Sequence, residues 1–365
     1  MCGAARRLVS RRGMLGGMLG GGALVALGAA TASGAPADAR TIAARQRFFG
    51  TDTVDAGTGE VRPDRVVLSW VGCATYAVAF AGTVLLLDAW VPRLSSAGYV
   101  PATAQDLADL RPAAILIGHG HFDHAGDAGR IAQASGAVVH GTAEHCATIR
   151  AQVPDPGFGT VALGDAATAP GSVHEFRVGD IAVTAVRHLH SGPTAPDPVQ
   201  GSAPFFPVPD LCAIAQHPPT LDDLRVGLPR LRDEEGGCLL YQLRTPGFSL
   251  VWHDSAGPLL EKAPQVFDVF AGLAPTDLQI GAIQGFNQLT NGLRDPRTYI
   301  EALRPRLFVP AHHDNWLPGF TAPAATYTAT LHAELDRIPA EHRPELRSLL
   351  DPTDYIAPAR LTFQI

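Results

Sequence analysis

Lysine is almost absent from this chain: Lys262 stands alone among 28 basic residues in 365. That bias reads as genome composition and carries no chemistry. Charge is scarce too, at 17% of residues, and the formal balance is −7. An acidic surface of this kind excludes a nucleic-acid backbone as the main partner. Only five cysteines are present, and none are spaced as CxxC. A structural zinc site made of thiolates is therefore excluded, and so is a disulfide-framed miniprotein. Beyond the N-terminal segment no apolar run is long enough to cross a bilayer, and no internal repeat is found. What the chain does have is 46% hydrophobic residues, 38 glycines and 30 prolines. It can bury a large core, and its many tight connections leave function to the loops.

Residues 1–39 have the order of an export signal. Ser10-Arg11-Arg12-Gly13-Met14-Leu15 precedes an uncharged Gly- and Ala-rich run, and Ala35-Pro36-Ala37-Asp38-Ala39 supplies small residues for cleavage. The paired arginines resemble a twin-arginine signal, which implies the twin-arginine export machinery as a partner and a periplasmic or extracellular destination. The glycines at positions 16, 17, 20, 21 and 22 make the run a poor permanent span, so no stable membrane span is expected after signal removal. Residues 40–60 read as a linker. In an oxidising compartment Cys212 and Cys238 form the best candidate pair, since they bracket one proline-rich stretch.

From residue 61 onward the chain alternates short β-rich runs with helical segments, an α/β rhythm. Val66–Val71, Tyr76–Phe80 and Val84–Leu87 read as strands joined at glycine-containing turns, followed by a helix at Ala104–Leu110, a strand at Ala113–Ile117 and a helix at Gly126–Ala134. Later strands are expected at Ala137–His140, Glu175–Val178, Ile181–Val186, Cys238–Leu243, Ser249–Trp252, Leu278–Ala282 and Leu307–Val309, with helices at Pro258–Phe270 and Thr298–Leu303. Residues 191–236 break the rhythm with nine prolines. Such an insertion is either functional or mobile.

The strongest chemical signal is Ile117-Gly118-His119-Gly120-His121-Phe122-Asp123-His124, directly after an expected buried strand. His119 and His121, two apart on an extended loop, point the same way. Asp123 and His124 leave in the other direction as the chain turns into a helix, so one loop can feed two neighbouring metal ions. Imidazole with carboxylate suits zinc, and also iron or manganese.

The motif resembles H-x-H-x-D-H of the metallo-β-lactamase superfamily, and the resemblance extends over the chain from about Val61. It implies a four-layered αββα sandwich with two Zn2+ at one edge of the sheets. It further implies a later histidine ligand, for which His188 and His190 compete. Branches similar to ascorbate-lactone hydrolases and N-acyl phospholipid phospholipase D enzymes place that ligand just before a serine, which favours His190 and leaves His188 as a neighbour or substrate contact. The bridging carboxylate implied after a later strand is Asp254, preceded by His253 where the family commonly has glycine. The last implied ligand is His312 in Pro310-Ala311-His312-His313, with His313 the runner-up, facing the pocket or solvent. Asp88 corresponds to an early aspartate that orients a ligand or its water. Cys73 stands where related branches often have histidine, and it reads as a small buried residue.

The resemblance implies His119, His121 and His190 on one metal and Asp123, His124 and His312 on the other, with Asp254 bridging and Asp123 aligning the attacking water as the catalytic residue. The expected activity is hydrolysis of a small ester, lactone, amide or phosphodiester by an exported enzyme. Ala203–Pro209 reads equally as a wall or lid over the metals and as a proline-stiffened surface loop. The alternative is a di-iron redox protein or a metal-binding member without turnover, distinguished by its visible absorption. A nuclease is disfavoured because no basic groove or added domain is visible.

Overall fold

The computed structural model describes residues 37–91, 99–208, 210–230 and 232–365. Its architecture follows from the first strand, Arg65–Gly72 (β1). There Val66, Leu68 and Trp70 point to one face, Val67 and Val71 to the other, and all five are buried. A strand apolar on both faces needs a covering layer on each side. The same holds for Thr75–Phe80 (β2), Thr83–Leu87 (β3), Ala114–Leu116 (β4) and Val138–Gly141 (β5), while Thr160–Ala162 (β6) closes one edge. The second half supplies Val173–Val178 (β7), Ile181–His188 (β8), Cys238–Thr245 (β9), Phe248–His253 (β10), Leu278–Ala282 (β11), Leu307–Ala311 (β12), Glu345–Leu346 (β13) and Thr362–Gln364 (β14).

These strands form two seven-stranded sheets, β14-β1-β2-β3-β4-β5-β6 and β13-β12-β11-β10-β9-β8-β7. In the first, β1 to β3 run antiparallel and β3 to β6 parallel; in the second, β7 to β10 run antiparallel and β10 to β13 parallel. Leu68, Trp70, Tyr76 and Leu116 from one sheet meet Tyr241, Leu250, Trp252 and Ile280 from the other in the central core. Outside the first sheet lie the helices Ala39–Phe49, Ala104–Asp109 and Ala128–Ser135, packed through Phe48, Phe49, Leu107 and Ile131. Outside the second lie Gln265–Ala271 and Arg294–Leu303, packed through Val266, Phe270 and Tyr299. The order of layers is αββα. Hydrogen bonds tie the sheets together where the strands end, among them Tyr241 Oη donating to Ile117 O at 2.9 Å and Trp252 Nε1 to Ala74 O at 3.3 Å.

Several boundaries differ from those expected. Residues 40–60 are not a linker. Asp38 caps the helix Ala39–Phe49, whose Phe48 and Phe49 are fully buried, and Ser69 Oγ donates to Phe48 O. Its three arginines gave the segment a polar composition, yet Arg45 is part-buried and donates to Leu110 O and Gly59 O at 3.0 and 2.8 Å. Residues 1–36 of the expected signal lie outside the described residues. The helix expected over Pro258–Phe270 is two, Leu259–Lys262 and Gln265–Ala271, with Pro264 between them, since proline cannot donate to the preceding turn. The insertion 191–236 contains the helices Leu211–Gln216 and Leu221–Arg230.

The disulfide expected between Cys212 and Cys238 is absent. Both are free thiols, Cys212 exposed on its helix and Cys238 buried at the start of β9. Among the described residues no helix is long and apolar enough to cross a membrane.

Candidate metal centre

The C-terminal ends of β3, β4, β8, β10 and β12 lie along one edge of the sandwich, where open α/β sheets gather their functional loops. Asp88 follows β3, the histidine loop follows β4, His190 follows β8, Asp254 follows β10 and His312 follows β12. Asp88 (φ 53°) and His312 (φ 53°) sit in the left-handed region, and so does Cys73 (φ 51°) in the β1–β2 turn. Non-glycine residues there cost roughly 1–2 kcal/mol each. Three such positions in loops meeting at one point mark a site whose geometry is over-determined by its surroundings.

The histidine loop is shaped by its glycines. A Cβ on Gly118 would lie 2.1 Å from the Asp254 carboxylate, and one on Gly120 would lie 2.5 Å from Glu234 O. Gly118 N donates to Asp88 Oδ1 at 3.0 Å and Gly120 N to Glu235 O at 2.7 Å. The end of the insertion therefore backs the loop.

Two groups of donors converge. His119 Nε2 and His121 Nδ1 face each other at 3.0 Å, and His190 closes the group, its ring 4.6 Å from His119 and 4.8 Å from His121. His190 Nδ1 pairs with Ser191 O at 2.8 Å, which turns Nε2 to the group. In the second group Asp123 Oδ2 lies 3.1 Å from His312 Nε2 and 3.4 Å from His124 Nε2, with Cys73 Sγ 3.9 Å away. The rings of His119 and His124 are 3.9 Å apart, so the groups adjoin.

The electrostatics separate the two groups. Burial pushes His119 well below the ordinary histidine range, lowers His121 to about 4 and lowers His190 as well, so all three rings are neutral at pH 7 and offer lone pairs. Burial opposes the charge on Asp123, but His124 and His312 outweigh it and hold the carboxyl well below its usual range. Burial likewise opposes protonation of His124, but Asp123, Asp254 and Asp88 raise it well above 6.5. Three neutral imidazoles converging without a charge between them, beside an ionised carboxylate and two more imidazoles, fit a pair of divalent cations. His312 Nδ1 and Asp254 Oδ1 are buried without a hydrogen-bond partner.

Asp254 does not stand between the two groups. Its Oδ2 lies 2.8 Å from His119 Nδ1 and 3.2 Å from His124 Nδ1, the side of each ring away from Nε2. It backs both imidazoles, with Cys238 close by. Asp88 does the same for one, pairing its Oδ2 with His124 Nδ1 at 2.6 Å. The remaining histidines leave the centre. His188 is fully buried and pairs with Tyr299 Oη at 3.0 Å, so it is no substrate contact. His253 Nε2 faces Gln279 at 3.0 Å. His313 neither lines a pocket nor reaches solvent: it pairs with Leu349 O at 3.0 Å and stacks on Trp70 at 5.2 Å. Lone histidines next to strand ends carry no sequence signal for which side they face.

Two features of the site were not anticipated. Cys73 reaches the second group, and Trp316 packs its ring edge on His312 at 5.8 Å, with Nε1 unpartnered. A tryptophan four residues past a ligand candidate was the available signal. Trp316 also walls a cavity of about 290 Å3 shared with Tyr99, Asp210, His217, Asp351 and Tyr355. From Ala203–Pro209, Phe205 is held against Tyr327 at 4.9 Å while Phe206 and Val208 are exposed; Pro209 lies outside the described residues.

Fold and site together point to one class, and residues 68–230 match the family model of the metallo-beta-lactamase superfamily. It is similar to a metal-dependent hydrolase from Pyrobaculum neutrophilum, 37% identical over 105 residues, covering 27% of this chain and 45% of that protein. A metal-dependent hydrolase from Anaeromyxobacter dehalogenans is 31% identical over 140 residues, covering 36% of this chain and 46% of that one. The chain thus spans about half the length of the curated relatives it matches. Among solved structures it is similar in fold to a metallo hydrolase from Ignicoccus hospitalis, with TM-score 0.50, 14% identity and coverage of 82% of this chain and 99% of that one.

Proposed function

We propose that this protein is an exported metal-dependent hydrolase working through two adjacent cations, with zinc the best match to the donors. The observation that carries the reading is the convergence of two donor groups at one strand edge, His119, His121 and His190 beside Asp123, His124 and His312. Bound there, such cations supply an acidified water and a Lewis acid for the substrate's carbonyl or phosphoryl oxygen. The protein's own part is placement. Neutral His119, His121 and His190 would hold one cation, and Asp123, His124 and His312 would hold the other. Asp123 accepts the hydrogen bond that aligns the attacking water. Asp88 and Asp254 fix the ring orientations of His124 and His119 from the Nδ1 side.

The substrate is a small ester, lactone, amide or phosphodiester. The cavity beside Trp316 is of small-molecule size, and its charged lining, Asp210 and Asp351, repels a polyanion. Export rests on Arg11-Arg12 and the uncharged run that follows; fractionation of cells expressing the full chain, with Arg11→Lys plus Arg12→Lys retained inside, tests it. For the activity, the test is a panel of one small ester, lactone, amide, phosphodiester and β-lactam, assayed before and after chelation. Turnover of one class, abolished by chelator and restored by zinc, is expected. Turnover indifferent to chelator would overturn the reading.

A further inference from the structure

We propose that Cys73 is a thiolate ligand of the second cation, completing a Cys73, Asp123, His124 and His312 site. The inference rests on the two-cation reading above and adds to it the donor that Asp254, turned to the Nδ1 side of its histidines, does not supply there.

The geometry of the β1–β2 turn is built to aim this side chain. Gly72 (φ 108°) and Cys73 (φ 51°) both occupy the left-handed region, an arrangement a cysteine adopts only when its neighbours impose it. Those neighbours are Asp314, Tyr355, Trp70 and His312. Cys73 N donates to both oxygens of Asp314 at 3.0 and 3.1 Å, and Tyr355 Oη donates to the same carboxylate. Cys73 O accepts from Trp70 Nε1 at 3.0 Å and from His312 N at 3.0 Å. The last of these ties the turn directly to the loop carrying another ligand of the same group, so the two donors are positioned as one unit.

With its backbone clamped on both sides, the fully buried thiol points at Asp123 Oδ2, 3.9 Å away. The four donor atoms lie within 4.8 Å of one another. Ligands about 2.0–2.3 Å from a tetrahedral zinc stand roughly 3–4 Å apart, so these donors fit around one ion with little adjustment. Trp90, Trp316, Phe122 and Leu317 pack around Cys73 and keep water from the sulfur. On binding, the S–H bond breaks, the proton leaves to buffer and a sulfur–metal bond forms in its place.

Two consequences follow. A soft sulfur donor favours zinc over manganese at the second position. Four protein donors would also saturate a tetrahedral ion at that position, whereas the three imidazoles of the first would leave that ion accessible to water and substrate.

The test is spectroscopic and uses the full folded chain loaded with cobalt(II), or with zinc for X-ray absorption. The wild type is expected to show a sulfur-to-cobalt charge-transfer band in the near ultraviolet and, at the zinc edge, a sulfur shell at about 2.3 Å. Cys73→Ser should lose both while still binding cobalt, and Cys146→Ser should keep both. Because a serine there could unsettle the turn, circular dichroism of Cys73→Ser and the spectrum of a Cys73→Asp variant, which restores a ligand without sulfur, accompany it. Two bound metals without a sulfur signal would overturn the proposal and leave the two-cation reading standing. A folded wild type that takes up no metal would overturn both.

Discussion

A methyl group at Gly118 puts the arrangement behind the histidine loop to a quantitative test. The added Cβ would lie 2.1 Å from Asp254 Cγ and Oδ2 and 2.4 Å from Oδ1. Ordinary carbon contacts are about 3.5–4.0 Å, so the carboxylate must retreat by roughly 1.5 Å. It has little room to do so. Its Oδ2 is held by His119 Nδ1 at 2.8 Å, and the loop beyond it is packed tightly, since a Cβ on Gly257 would meet Leu189 O at 2.3 Å. Overpacking of this kind costs about 1–3 kcal/mol in stability. Misplacement of functional groups by about 1 Å costs on the order of 10²-fold in rate. Gly118→Ala is therefore expected to fold with a urea midpoint shifted down by that energy, to bind the first cation more weakly and to lose about two orders of magnitude in kcat/KM. Gly192→Ala is the control, because its Cβ would meet nothing within 4 Å although it lies two residues from His190. Denaturation curves, metal titrations and rates on the best panel substrate give the three readings. A Gly118→Ala protein within twofold of wild type in both rate and metal affinity would refute the reasoning.

Arg294 is fully buried, with Asp295, Glu261 and Asp197 at 2.7, 2.6 and 3.2 Å, and it pins the insertion at Asp197; Arg294→Met should cost about 3–5 kcal/mol through the stranded Asp295 and open residues 193–205 to protease, and unchanged denaturation and digestion would contradict this. In metal-free protein burial lowers His145, His253 and His313 to about 4 each and His188 to about 3, so between those values and about 6.5 the unfolded chain binds more protons at these four groups, against which Asp88, raised by burial to about 8, and Asp314, raised by burial to about 6, each count one the other way. Stability should therefore fall as pH drops from 6.5 toward 4, by roughly 1.4 kcal/mol per pH unit per net proton, and a flat urea midpoint from pH 7 to 5 would sink the assignment. Tyr299→Phe removes the hydroxyl shared by His188 Nδ1 and Gly257 N, and calorimetry should show a loss of about 1–3 kcal/mol.

Much of this molecule is legible in its sequence because the long strands are apolar on both faces and glycine marks their turns. β1 to β3 and β8 to β12 were expected within a residue or two, and the H-x-H-x-D-H spacing placed four donors, to which the family resemblance added His190 and His312. The short edge strands β6, β13 and β14 escaped because two or three residues carry no period; neighbouring strands, not local sequence, hold them. The helix Ala39–Phe49 escaped because its arginines, one of them part-buried against carbonyls, look like a solvated linker. Within the site, the order of ligand candidates could be read, but the side each group faces could not. Asp254 lies behind two rings because Gly118 leaves the space, and Cys73 reaches the second donor group because Asp314 and His312, some 240 residues later, clamp its turn. Contacts of that separation leave no local pattern.

The central claim, two cations held by two separate donor groups, is tested most directly by metal stoichiometry. Elemental analysis of the folded protein should give two metals per chain, zinc foremost, with His190→Ala and His312→Ala each falling to one and the double variant to none. A single ion unaffected by either substitution, or no metal in a folded wild-type chain, would contradict the account.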